Sequence, residues 1–202
     1  MLNQPSLAIL IDFWHPTTSI KRVNNTIEFL STNDTIITVV LSTYNSRSEL
    51  FFNNTIWYLN RKEWYEKSNV SLRDKALLED KETIQKHFIK NSVTNPLILK
   101  YHNSNQHQIA MFKYWEIEYY LSIHTEIKNI YVLGCAWEVC VKYRPVGYLE
   151  LSHLQRQNIN ILTHTDLVRS NKSEQLDLSL NRHWIKVQGN IYRYLGNKKV
   201  DP

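Results

Sequence analysis

The chain has 202 residues, 43% of them hydrophobic and 21% charged, which suits one domain with a sizeable core and excludes a disordered polypeptide. No run approaches the roughly 20 apolar residues of a membrane span, and the opening Met-Leu-Asn-Gln-Pro-Ser has no basic n-region, so neither a transmembrane segment nor a signal peptide is expected. The net charge of +5 comes from Lys and Arg interspersed with Asp and Glu; without zinc-finger spacing, an RNA-recognition aromatic motif or a basic helix, no nucleic-acid partner is expected beyond weak attraction to polyanions.

Ser6-Leu7-Ala8-Ile9-Leu10-Ile11 is a continuous apolar run, as expected of a central strand of a parallel sheet buried on both faces. It ends in Asp12-Phe13-Trp14-His15-Pro16. An acidic residue directly after a buried strand is costly unless it is paired or used, so Asp12 is a candidate catalytic group, with a turn or helix cap as its structural alternative. Residues 17–30 predict a helix, with Ile20, Val23, Ile27 and Leu30 at helical spacing. The β-branched stretch 35–41 predicts the second strand. Residues 51–69 are aromatic and polar, without a strand pattern, and fit either a pocket wall or an excursion packed on the domain or a second subunit. Residues 71–90 have a helical pattern.

Asn95-Pro96-Leu97-Ile98-Leu99-Lys100 predicts a strand ending in a lysine. Residues 107–124 predict a helix whose apolar residues run almost all round it, which suggests burial or a dimer contact. Ile130 to Leu133 form a short apolar strand that meets Gly134. The chain then passes Cys135, Ala136, Trp137 and Glu138 into Val139-Cys140-Val141, which reads as a helix start. A strand that breaks at Gly and re-enters as a helix lies at the carboxyl end of a sheet, where open α/β folds bind ligands. Cys140 in such a first turn would meet free backbone N–H groups that favour a thiolate. Pro145 interrupts this helix or delays its start. Residues 149–157 complete it, 158–163 predict a further strand and 174–180 a helix. Residues 184–187 and 190–195 predict a short hairpin or an edge strand, with Gly189-Asn190 as a turn between them. Cys135 and Cys140, five apart, are no disulfide framework. A reducing, cytoplasmic location is expected, with Cys135 a buried structural thiol.

The octapeptide Gly134-Cys135-Ala136-Trp137-Glu138-Val139-Cys140-Val141 resembles the Gly-x-Ala-Thr-Asp-x-Cys-Val signature of the isochorismatase-like cysteine hydrolases, a superfamily that includes nicotinamidases and N-carbamoylsarcosine amidohydrolase. Gly134, Ala136, Cys140 and Val141 match; Glu138 stands for Asp, and Trp137 for Thr. Asp12 matches the strand-end Asp of the superfamily, and Lys100-Tyr101-His102-Asn103-Ser104 matches its strand-end Lys followed by x-x-x-Ser. The resemblance implies a single α/β domain over residues 1–202, three-layered α/β/α with a largely parallel sheet. It implies a cysteine hydrolase that cleaves an amide, carbamoyl or related C–N bond of a small molecule.

In that scheme Cys140 is the nucleophile, Asp12 takes its proton and passes it to the leaving group, and Lys100 is a fixed charge that steadies carboxylate and thiolate. The backbone N–H groups of Val139 and Cys140 would bind the oxyanion. Trp14, Ala136 and Trp137 would shape the pocket. A cis peptide is implied at Ala136–Trp137. The loop that carries Asp-x-His in nicotinamidases is here Ser42-Thr43-Tyr44-Asn45-Ser46, so no metal and no cofactor are expected. The partners expected are a small-molecule substrate and further copies of the chain. His15, His102 and His107 have no part in this scheme. The other reading is an inactive relative that serves as a binding or interaction module.

Overall fold

In the computed structural model the residues described are 2–13, 18–42, 56–68, 101–144, 146–170 and 176–196. The expected helix at 71–90 and the strand at 95–100 with Lys100 lie outside them, as do Trp14, His15 and Pro145. The strands are β1 (Ser6–Ile11), β2 (Ile36–Ser42), β3 (His107–Ala110), β4 (Asn129–Cys135), β5 (Asn160–His164), β6 (Val168–Arg169), β7 (Trp184–Gln188) and β8 (Ile191–Tyr194). The helices are α1 (Ile20–Thr32), α2 (Ile56–Lys67), α3 (Tyr114–Ile123) and the short α4 (Tyr148–Leu151), with a π-helical turn at Trp137–Val141 and 3-10 turns at Ser152–Gln157 and Thr165–Leu167.

The strands form one mixed, mostly parallel sheet in the order β3-β2-β1-β4-β5-β8-β7, with β6 paired to β4. The fold class is therefore α/β. β1 lies between β2 and β4, parallel to both, and pairs Ile11 with Ser42 on one side and with Gly134 on the other. Every residue of β1 and of β4 is buried, which explains why both read as uninterrupted apolar runs. The hairpin at the other end is antiparallel: β8 pairs β5 and β7. Gly189 adopts φ 51° in its turn, a left-handed conformation that suits glycine.

Helix α1 starts later than its apolar spacing predicts. The Ser19 side chain accepts the Arg22 backbone N–H at 3.3 Å and caps the helix at Ile20, whose side chain stays exposed. The inward face is instead Arg22, Val23, Thr26 and Leu30.

Residues 56–67, without an expected element, form α2. Its buried stripe is Trp57, Arg61 and Tyr65, spaced i, i+4, i+8 on one helical face. The expected single helix over 107–124 is two elements. His107–Ala110 pair with Thr38–Leu41 as parallel strand β3, and Met111 continues the pairing by donating its N–H to the Leu41 carbonyl at 3.1 Å. The helix begins only at Tyr114, where Glu116 Oε2 accepts the backbone N–H groups of Phe112 and Lys113 and so satisfies helix-terminal donors.

Two further expectations change. Residues 137–157 are not one helix: the π-helical turn ends before Gly147, and α4 starts anew at Tyr148. Of 174–180, residues 176–178 have no regular structure and 179–180 form a turn. The expected strand over 158–163 begins at Asn160, because Asn158 turns left-handed at φ 61° to end the preceding 3-10 turn. Among the described residues no helix is long and apolar enough to cross a membrane.

Candidate functional site

The pairing of Ile11 with Gly134 places the carboxyl ends of β1 and β4 side by side. Asp12 follows β1 in a left-handed turn at φ 45°, a conformation that Asp tolerates better than most residues. Its backbone N–H donates to the Ser42 carbonyl at 3.1 Å, which fastens it to the end of β2 as well. From β4 the chain turns through a cis peptide at Cys135–Ala136, one bond earlier than the Ala136–Trp137 bond named from the resemblance. The π-helical turn then brings Cys140 round to face Asp12. Asp12 is 8% exposed and Cys140 is half-buried.

The charge facing this pair is Arg144. Its Nε and Nη2 both donate to Asp12 Oδ2, at 3.1 and 2.5 Å, and Nη2 lies 3.7 Å from Cys140 Sγ. Nothing in the sequence motif singled out Arg144. The available signal was its spacing four residues after Cys140, which puts both on one face of a helical turn. Lys100, the cation named from the sequence, lies outside the described residues, as does the proposed pocket residue Trp14.

The thiol is not activated in the way a helix start would imply. Cys140 sits fourth in a five-residue π-helical turn, not in the first turn of a long helix. Burial pushes its pKa up, the negative charge of Asp12 and a hydrogen bond to that carboxylate push it further, and Arg144 and a backbone hydrogen bond with Ala136 only partly offset them. Among the described residues the balance on Cys140 thus opposes ionisation, the reverse of the direction expected from a helix start. The expected oxyanion donors also differ in standing. The Val139 N–H donates to the Ala136 carbonyl at 3.2 Å, as the Val141 N–H does at 3.0 Å, so Val139 reaches an oxyanion only by leaving that carbonyl.

Trp137 is spent on packing. Its ring stacks on Tyr148 at 4.9 Å and leans on Trp184 at 5.1 Å, and Tyr194 closes the cluster against both of those rings. The aromatic group ties the π-helical turn to the β7–β8 hairpin. Replacing Trp137 with Phe is expected to cost about 1–2 kcal/mol of stability, since much of the ring survives, and to leave the rate of Cys140 alkylation unchanged within about twofold; urea unfolding and mass spectrometry read the two effects separately. Next to it, Ser170 donates to Glu138 Oε1 at 2.5 Å, so the residue standing for the signature Asp joins the turn to the end of β6. Cys135 is buried and, like Cys140, free, in keeping with a structural thiol.

Among the described residues no group of three or more His, Cys, Asp or Glu side chains comes together to hold a metal ion. Compared with protein-family profiles, with curated proteins and with solved structures, the chain shows no match. The likeness to the isochorismatase-like hydrolases rests on the octapeptide at 134–141, on Asp12 and on Lys100.

Proposed function

We propose that the chain is a metal-independent cysteine hydrolase of small-molecule amide, carbamoyl or related C–N bonds, on a three-layer isochorismatase-like fold. The observation that carries this reading is the convergence of Asp12 and Cys140 at two adjacent parallel strand ends. A half-buried thiol whose pKa is raised needs a base beside it, and the carboxylate that helps raise it is also the group placed to take its proton.

The chemistry then runs in two halves. Sγ attacks the carbonyl carbon as its proton passes to Asp12, and the carbonyl electrons move to an oxyanion met by the Cys140 amide, joined by that of Val139 if it leaves the Ala136 carbonyl. Collapse breaks the C–N bond, Asp12 returns the proton to the departing nitrogen, and a thioester remains. Water attacks the thioester, gives a proton to Asp12 and releases the acid, and the proton returns to the sulfur. Lys100 would add a second cation, and Trp14, Ala136 and Trp137 the walls of the pocket. A cytoplasmic location, a homo-oligomeric state and no cofactor complete the proposal.

A second reading, an inactive relative that binds rather than cleaves, is favoured by one feature: Arg144 occupies Asp12 Oδ2 with two donors. The two readings separate in one experiment. A panel of amides and carbamoyl compounds is assayed for released ammonia or amine, with intact mass to trap an acyl adduct, on the protein and on Cys140→Ser and Asp12→Asn. Turnover with a Cys140 adduct, lost in both variants, supports the hydrolase; no turnover and no adduct across the panel leaves the binding module.

Asp12→Asn also carries an opposite-signed expectation. Removing the carboxylate removes a charge that holds the thiol protonated, so alkylation of Cys140 at pH 8 is expected to quicken by about three- to tenfold while turnover disappears. In the unaltered protein the alkylation rate should still be climbing at pH 9.

A further inference from the structure

We infer that Arg144 is the positioning residue of this centre: it holds the Asp12 carboxylate in place beside the Cys140 thiol and supplies the positive charge that a thiolate there requires. The inference rests on Cys140 being the reacting group of the proposed hydrolase, and it adds a residue that the signature does not contain.

Three features support it. First, the chain itself delivers the guanidinium. The Arg144 N–H donates to the Cys140 carbonyl at 3.1 Å, one α-type turn, so the two side chains rise from the same face. Second, the grip is specific. Two N–H groups on one carboxylate oxygen fix its orientation in a way one ammonium does not, and the same Nη2 that makes the shorter contact faces the sulfur. The pair is largely withdrawn from water, with 25% of the Arg144 side chain and 12% of the Asp12 side chain exposed, so the interaction is less screened than at an open surface.

Third, the backbone beyond Arg144 is folded back tightly. Gly147 donates its N–H to the Arg144 carbonyl at 2.8 Å. A Cβ at Gly147 would lie 2.8 Å from the carbonyl oxygens of both Val141 and Lys142. Only glycine permits this approach, which holds the chain after Arg144 against the carbonyls of Val141 and Lys142. Among the described residues the charged groups acting on the Cys140 thiol are Asp12 and Arg144, one opposing its ionisation and the other favouring it. Without Arg144 the carboxylate would face the sulfur without this counter-charge, and both the direction of Asp12 and the cost of a thiolate would change together.

The test follows alkylation of Cys140 from pH 6 to 10 by peptide-resolved mass spectrometry, in the full chain and in Arg144→Met, Arg144→Lys and the double variant Arg144→Met/Asp12→Asn. Arg144→Met is expected to move the midpoint up by about one unit, a roughly tenfold slower reaction at pH 7.5. Arg144→Lys should recover part of this, since it restores charge without the two-donor grip. The double variant should react faster than Arg144→Met alone, because the opposing carboxylate has gone. Arg144→Gln carries the same expectation as Arg144→Met should the latter fail to fold. A role in folding alone would lower the urea midpoint and leave the profile of the folded protein in place.

Profiles that coincide within about twofold for the protein and the uncharged variants would overturn the inference. Its fate is separable from that of the hydrolase. Amide turnover with an unmoved profile discards Arg144 and keeps the enzyme; a moved profile in a protein that turns nothing over keeps Arg144 and discards the enzyme.

Discussion

Gly134→Ala is expected to leave little folded protein. Gly134 closes β4 against β1 at φ +125°, and a Cβ there would lie 2.0 Å from the carbonyl oxygen of Ile11 and 2.9 Å from its carbonyl carbon. The clashing atoms are backbone of a strand held on both sides by parallel partners, so no side-chain rotation relieves the contact. The torsion is also one that residues with a Cβ rarely adopt. Both causes act together, and the loss should reach about 4 kcal/mol or more, a large share of the roughly 5–15 kcal/mol that holds a domain together. Urea unfolding should show the midpoint falling by about 2 M at a slope of about 2 kcal/mol/M, or no cooperative transition at all. A midpoint within about 0.5 M of the unaltered protein would mean that β1 and β4 do not approach as described, and with them the placement of Asp12 beside the Cys140 turn would fall.

Arg61→Ala should be the next most damaging change. Arg61 lies on α2, 5% exposed, and Nη1 reaches Glu116 Oε1 at 2.6 Å, with the Glu116 side chain fully buried. The same nitrogen donates to the Ala110 carbonyl at 3.3 Å, and the guanidinium lies over the rings of Tyr65 and Phe112 at 4.6 and 4.5 Å. Removing it leaves a carboxylate without its counter-charge in the interior, which typically costs about 3–5 kcal/mol. Arg61→Lys keeps the charge but not the planar stacking, and should lose roughly half as much. Pairing Arg61→Met with Glu116→Gln should recover most of the loss. Glutamine keeps an oxygen for the Phe112 and Lys113 amides, and no unpaired charge remains. A double-mutant cycle in urea measures this coupling, and additive losses would contradict it.

That ion pair also explains what the sequence concealed. The buried stripe of α2 has a cation at its centre, so a search for apolar spacing passes over Trp57, Arg61 and Tyr65. Its partner Glu116 interrupts α3 in the same way. Strand β3 was hidden for a different reason: Ile109, Ala110 and Met111 are apolar and run directly towards a helix, and four residues are too few for a period of two to stand apart from one of 3.6. By contrast β1, β2 and β4 were legible because buried parallel strands leave apolar runs, and at β7–β8 the structure decides for the hairpin between the two readings the sequence left open.

In the site, Asp12 and Cys140 were legible as strand-end residues, and the structure brings them together. Arg144 was not, because its part depends on a tight π-helical turn and on Gly147, neither of which a linear pattern encodes. The raised pKa of Cys140 was illegible too, since burial and the approach of Asp12 are set by the packing of two strands more than 100 residues apart.

The outer side of β3 has one more consequence. Among the described residues β3 ends the sheet on its side, and an uncovered strand there would offer its carbonyls to any passing extended chain. Instead, α2 lies along it. The Asn60 side-chain amide donates to the Gln108 carbonyl and Arg61 to the Ala110 carbonyl, two acceptors on alternate residues that point the same way. Helix side chains thus occupy the positions that a visiting strand would need. Unfastening α2, as Arg61→Ala would, should therefore promote fibrillar self-assembly through this rim as well as loss of stability.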